Sequence, residues 1–366
     1  MGAPPRWEFL PTPTMEPGLP LTRRSGAGAE VVDCGSLLLR SRPRRISRGE
    51  DDGCGARPGA DGPRSPVPRS HWRRLLTRGS AVKLVGKEFD IAVRSHRLHG
   101  QRFGSPSAPL VLGLHGLSLN MKTFDFVGER LGGDALQLVA LDLRGRGNSD
   151  TTPPGTYGWE SHALDVFAVA DALGFEYFSL VGQSMGGSVA MKAAELDGSR
   201  LDAVVLVDIA GRVDPGVGPA IASATRQVDE VYVSVDSYLD AAKSEGLADP
   251  WNEYWERVYR YQLREASDGV WSLVDPEAVA EDRAYTLTQD AYARWRHLTM
   301  PTLLLRATRE IRPGAGHVVP ADDRDLFLRE VPRSAVVEVD ANHLTINAHA
   351  DTAAAIGNFL ADVLEQ

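Results

Sequence analysis

From residue 83 to its end this chain alternates short apolar runs with helical patterns, and nothing else in it restricts the possible folds so strongly. The runs at residues 109–114, 136–143, 177–181, 201–209, 302–305 and 335–339 are largely apolar throughout, as strands buried on both faces are. Helical patterns lie between or after them, at residues 159–173, 185–196, 322–330 and 351–364. Such alternation predicts an α/β chain with a mostly parallel sheet covered on both faces. Ahead of it, residues 82–85 and 89–97 read as an antiparallel pair. Sheets of this kind carry their chemistry at the carboxyl ends of the strands.

Two stretches fall outside the pattern. Residues 1–80 contain 11 Gly, 11 Pro and 14 Arg, with 8 acidic residues and no Lys. Such a composition buries too little apolar surface to offset its ordering entropy, which predicts a disordered tail. That tail reads as a solvated extension or as translated sequence ahead of the true start; a basic tether is the sharper alternative. Residues 212–297 have no clear buried strand but hold most of the large aromatics. Trp251, Tyr254, Trp255 and Tyr259 fall at helical spacing and are expected to share one face. Part of that stripe is expected to pack the segment onto the main domain, and part to wall an apolar pocket. The resulting division is a tail at 1–80, a core at 81–211 and 298–366, and a helical insertion at 212–297.

Composition narrows the function classes. The formal net charge is −9, and the basic tail makes the remainder more acidic still, which argues against nucleic-acid binding. Both cysteines, Cys34 and Cys54, precede the main domain, so no disulfide framework holds it and no zinc site is spaced for it. No apolar run is long enough to span a bilayer, and the proline-broken start does not read as a signal peptide. A cytoplasmic protein without metal or cofactor, acting on a small molecule, is the reading that remains.

The chemistry concentrates at Gly182-Gln183-Ser184-Met185-Gly186, a G-x-S-x-G pattern that directly follows an expected strand and precedes an expected helix. In that context the serine sits on a sharp, strained turn that lifts its hydroxyl above the sheet. The run Arg144-Gly145-Arg146-Gly147 lacks both the P-loop and the dinucleotide patterns and reads as a turn shaping the rim of the sheet.

With His115-Gly116 after one strand and Asp142-Leu143-Arg144-Gly145-Arg146-Gly147-Asn148-Ser149 after the next, residues 83–366 resemble an α/β-hydrolase. The resemblance implies a mostly parallel eight-stranded sheet flanked by helices, with a helical cap at 212–297. It implies Ser184 as nucleophile, activated by His343, which follows the last expected strand. It places the oxyanion-hole amides at Met185 and Leu117, with His115 orienting the loop. The triad acid is expected about five residues past the strand at 302–305, where Glu310 stands. Many members carry Gly and Asp there, and residues 311–317 look like an insertion, so Asp208 at the end of the preceding strand is the rival. The implied activity is hydrolysis of a carboxylic ester or lactone with a substantial apolar part. C–C bond hydrolases, thioesterases and acyl transferases share the same residues, and a non-catalytic ligand-binding protein on this scaffold is the alternative of a different class.

Overall fold

A computed structural model describes residues 84–365; the expected tail at 1–80 lies outside them. The described residues contribute ten strands: β1 (Lys87–Val93), β2 (His96–Phe103), β3 (Leu110–Leu114), β4 (Gln137–Leu141), β5 (Phe178–Gln183), β6 (Leu201–Val207), β7 (Leu263–Ala266), β8 (Gly269–Ser272), β9 (Thr302–Ala307) and β10 (Ser334–Val339). Eight of them form one sheet in the order β1-β2-β4-β3-β5-β6-β9-β10. β1 and β2 pair antiparallel, as do β2 and β4, and every other pair is parallel.

The central strands explain the sheet. β3, β4, β5 and β9 are buried at every residue, and β6 at all but one, so each needs cover on both faces. Successive side chains divide between two cores. Leu112, Leu114, Leu206 and Leu304 face α2 (Trp159–Ala172) and α3 (Met185–Asp197). Val111, Val205, Leu303 and Leu305 pack with Phe124 and Phe359, against α1 (Asp125–Leu131) and the last helix (Ala350–Leu364).

The opening hairpin differs from the sequence expectation. The pair is β1 with β2, and the turn falls at Arg94 and Ser95, inside the stretch expected to be one strand. Val93 and Leu98 are both buried, which fixes which side chains face the core, and Arg94 takes a left-handed backbone (φ 51°) to reverse the chain.

Between β6 and β9 the chain inserts α4 (Val217–Thr225), α5 (Val235–Ser244), α6 (Glu253–Tyr261), the β7–β8 hairpin and α7 (Pro276–Leu287). Each of the last three helices starts on a side-chain cap: Ser234 with Ser237, Asn252, and Asp275 followed by Pro276. β7 is mostly exposed and β8 only partly buried, so these strands of four residues carry no clear apolar signature, which is why the sequence did not reveal them. After β9 come α8 (Ala321–Glu330) and, following β10, α9 (Ala350–Leu364). The insertion packs its own apolar cluster, including Tyr238, Trp255 and Val258, onto Leu119 and Leu344 of the sheet's carboxyl-end loops. Among the described residues no helix is long and apolar enough to cross a membrane.

Candidate active site

Ser184 stands between β5 and α3 with φ 53° and ψ −121°, the strained turn that the G-x-S-x-G pattern implies. The turn depends on close backbone approach. A Cβ on Gly186 would lie 2.0 Å from the Leu114 carbonyl oxygen, so only glycine fits beside β3.

His343 follows β10 and is buried; its Nδ1 lies 2.8 Å from Asp208 Oδ2. The carboxylate accepts there, which assigns the proton to Nδ1 and leaves Nε2 as an acceptor. Asp208 is itself fixed. It lies at the end of β6 in a left-handed conformation (φ 51°), its Oδ1 accepts from the Ala307 amide (2.9 Å), and its own N–H donates to the Leu305 carbonyl (2.7 Å). The buried Gln183 side chain places its Nε2 3.4 Å from both His343 Nε2 and the His343 carbonyl.

Glu310, the acid expected from its position after β9, does not reach His343. It is exposed, and its carboxylate accepts from the Gly314 amide at 2.6 Å. The reason lies in its neighbours: Ile311 is buried, Arg309 pairs outward with Asp340 (2.7 Å), and the 310–314 turn consumes the Glu310 carboxylate. The carboxylate on the imidazole is the rival, Asp208.

Leu117 and Met185 both border the cavity over Ser184. Met185 is the first residue of α3, so its N–H has no intrahelical acceptor, and the positive end of that helix faces the site. Gly116 brings the other loop close: a Cβ there would lie 3.3 Å from Ser184 Cβ and 2.5 Å from Gln183 Oε1. His115 braces this loop. Its Nδ1 donates to the Gly116 carbonyl (2.7 Å) and its Nε2 accepts from the Leu143 amide (3.1 Å). Burial pushes His115 down to about 3, so the ring stays neutral and keeps both roles.

Sequence reasoning missed one device behind the loop. Arg146, fully buried within the Gly-rich turn, donates to the carbonyls of Leu117 (3.1 Å) and Arg144 (3.0 Å). It also forms an ion pair with Asp282 of α7 at 2.7 Å. Asp282 bonds His162 of α2 (3.0 Å) and accepts from the Gly158 amide (2.7 Å). Burial opposes its ionisation, but His162 and Arg146 outweigh that and hold the carboxyl below the ordinary range. The rim turn is thus also a fastener between the 117 loop and the insertion. Partners more than a hundred residues apart leave no mark in local pattern.

Ser184, Met185, Leu117 and His343 share a cavity of about 300 Å³ whose other side is built by the insertion. The aromatic stripe divides, and Trp251 falls outside the helix on which the spacing placed it. Tyr254 and Trp255 pack inward, and Tyr254 donates to the Thr123 carbonyl, whereas Tyr259 lines the cavity; Trp251 precedes α6, whose cap is Asn252. Among the described residues no group of three or more His, Cys, Asp or Glu side chains is placed to hold a metal ion.

Residues 111–355 match the family model described as the alpha/beta hydrolase family. Of curated proteins, an N-formylmaleamate deformylase of Pseudomonas putida is 37% identical over 119 residues, 32% of this chain and 44% of that protein. The chain therefore spans less than half the length of that relative, and 52% of a serine hydrolase-like protein of Danio rerio. The match to an AB hydrolase superfamily protein, YisY of Bacillus subtilis, is longer: 30% identity over 229 residues, 62% of this chain and 81% of that protein. Among solved structures, an E-2-(acetamidomethylene)succinate hydrolase superposes with a TM-score of 0.66 at 22% identity, covering 76% of this chain and 99% of that one.

Proposed function

This chain belongs to the alpha/beta hydrolase family, and from that premise we propose that it is a serine hydrolase cleaving carboxylic esters or lactones through an acyl-enzyme on Ser184. The observation that carries the reading is the 2.8 Å bond between Asp208 and His343, at the wall of a cavity that His343 shares with Ser184. A serine hydroxyl is a weak nucleophile until a base takes its proton, and an imidazole held at Nδ1 offers Nε2 for that task.

In the first half-reaction Ser184 Oγ attacks the carbonyl carbon as its proton passes to His343 Nε2. The amides of Leu117 and Met185 donate to the oxyanion that develops. Collapse breaks the bond to the leaving alcohol, which takes the proton from His343. Water then attacks the acyl-enzyme with His343 again as base, releasing the acid and restoring the Ser184 hydroxyl. Asp208 keeps the imidazole in the right tautomer and steadies the imidazolium. Residues 212–297 act as a cap whose apolar wall selects substrates with a substantial apolar part.

The test is turnover of p-nitrophenyl hexanoate by the wild type and Ser184→Ala. The expected result is release of nitrophenolate that falls on the order of 10⁴-fold or more in the variant. Equal rates in both, or no turnover of any ester or lactone by folded protein, would sink the reading and favour a ligand-binding role for the cavity.

A further inference from the structure

Taking the cavity over Ser184 as an acyl-substrate site, we propose that Gln227 and Tyr259 are specificity-determining residues that recognise an uncharged hydrogen-bonding group, such as a ketone, hydroxyl or amide, on the otherwise apolar body of the substrate. Gln227 lies in the turn Arg226–Val228 after α4, and Tyr259 lies in α6, so both belong to the insertion. Both line the cavity, and they are only 8% and 9% exposed. Neither the Gln227 carboxamide nor the Tyr259 hydroxyl has a hydrogen-bond partner among the described residues.

The polar atoms of both residues open to the cavity, and a polar group that gives up water there is destabilised unless a substrate group completes it. A third amide in the same lining shows the contrast. Gln262 is fully engaged, donating to the Tyr238 hydroxyl (2.6 Å) and accepting from Asn120 Nδ2 (3.0 Å). Among the insertion's described uncharged polar side chains that border the cavity, only Gln227 and Tyr259 lack such a partner; on the sheet side Gln183 Oε1 is also open. The Tyr259 ring is held between Tyr238 and Trp251, with centroids 6.3 and 5.3 Å away, which limits where its hydroxyl can point. Burial pushes the phenol up, so it remains protonated and able to donate. A carboxamide and a phenol each donate and accept, which suits a neutral carbonyl or hydroxyl.

The charge of the lining decides against an anionic group. Among the described residues bordering the cavity, Arg283 is the one lysine or arginine, and its side chain is exposed. A carboxylate drawn into this wall would lose its water with no cation to replace it, a far larger penalty than that of a ketone.

The experiment compares p-nitrophenyl hexanoate, its 4-oxo and 5-oxo analogues and the mono-p-nitrophenyl ester of adipic acid, each rate divided by that of its alkaline hydrolysis. We expect one oxo ester to exceed the hexanoate in kcat/KM by about tenfold or more and the adipate to be the poorest. In Gln227→Leu and in the near-isosteric Tyr259→Phe that ratio should fall toward one. Equal use of all three neutral esters by the wild type, a ratio that survives in both variants, or preference for the adipate would overturn the proposal. The wild-type ratio stands even if a variant misfolds. Failure of the hydrolase reading itself looks different, since then no ester in the set is turned over.

Discussion

The two walls of the cavity hold their most telling polar groups differently. On the sheet side the imidazoles and their carboxylate are fixed: His343 has Asp208, Asp208 has the Ala307 amide, and His115 bridges Gly116 and Leu143, while Gln183 Oε1 is left without a partner. On the insertion side Gln227 and Tyr259 face the cavity with nothing bound to them among the described residues. Groups that must perform chemistry are best locked before the substrate arrives, because reorganisation during reaction costs rate. Groups that recognise a substrate must instead be left open for it. The division follows the chain: β5, β6, β9 and the loop after β10 supply the fixed wall, and the segment between β6 and β9 supplies the open one.

The largest effect is expected from breaking the fixed wall. Asp208→Asn should lower kcat on p-nitrophenyl hexanoate by about 10⁴-fold, because the wrong imidazole tautomer is favoured. Glu310→Gln, which removes only the charge of a surface side chain and leaves an oxygen to accept from Gly314, should stay within about twofold. Steady-state kinetics on the two variants decides between the carboxylates; a large loss in Glu310→Gln with little in Asp208→Asn would reverse the assignment.

Next comes the fastener that joins the walls. Asp282→Ala leaves the Arg146 charge buried without its partner, and removing one member of a buried pair costs about 3–5 kcal/mol. Denaturant unfolding should show that loss, and a change below about 1 kcal/mol would show that the pair does not hold the insertion down.

The smallest effect concerns a buried carboxyl that does not border the cavity. Asp125, at the start of α1, has a buried Oδ1 with no partner, and burial raises its carboxyl to about 6. Its folded value lies above the unfolded one, so the folded state prefers the protonated form, and stability is lost as pH rises from about 4 through 6. Asp125→Asn should therefore stabilise the protein by ~2–3 kcal/mol at pH 8, with the gain shrinking toward pH 4. Thermal melts of both proteins across that range check it, and a gain independent of pH would refute the cause.

Much of the fold was legible because buried parallel strands are continuously apolar and their helices are not. The turn at Ser184 was legible because G-x-S-x-G fell between such a strand and a helix, and the place of His343 because it followed the last strand. The carboxylate that meets His343 was not. Spacing along the chain placed Glu310 at the right distance from β9, but it could not show that burial of Ile311 turns the loop so that Glu310 faces solvent. The Arg146–Asp282–His162 group was hidden for a related reason, since its members become neighbours only when α7 settles on the rim of the sheet. The insertion's exposed hairpin was missed because half-solvated strands of four residues carry no distinct pattern.

The central claim is that Asp208 and His343 activate Ser184, and a fluorophosphonate tests it most directly because it reacts with an activated serine without requiring the right substrate. Intact mass and peptide mapping of treated wild type, Ser184→Ala and His343→Ala would be measured side by side. The account predicts one adduct per chain, mapped to Ser184, absent from Ser184→Ala and strongly slowed in His343→Ala. Folded wild-type protein that resists the probe, or an adduct that persists in Ser184→Ala, would contradict it.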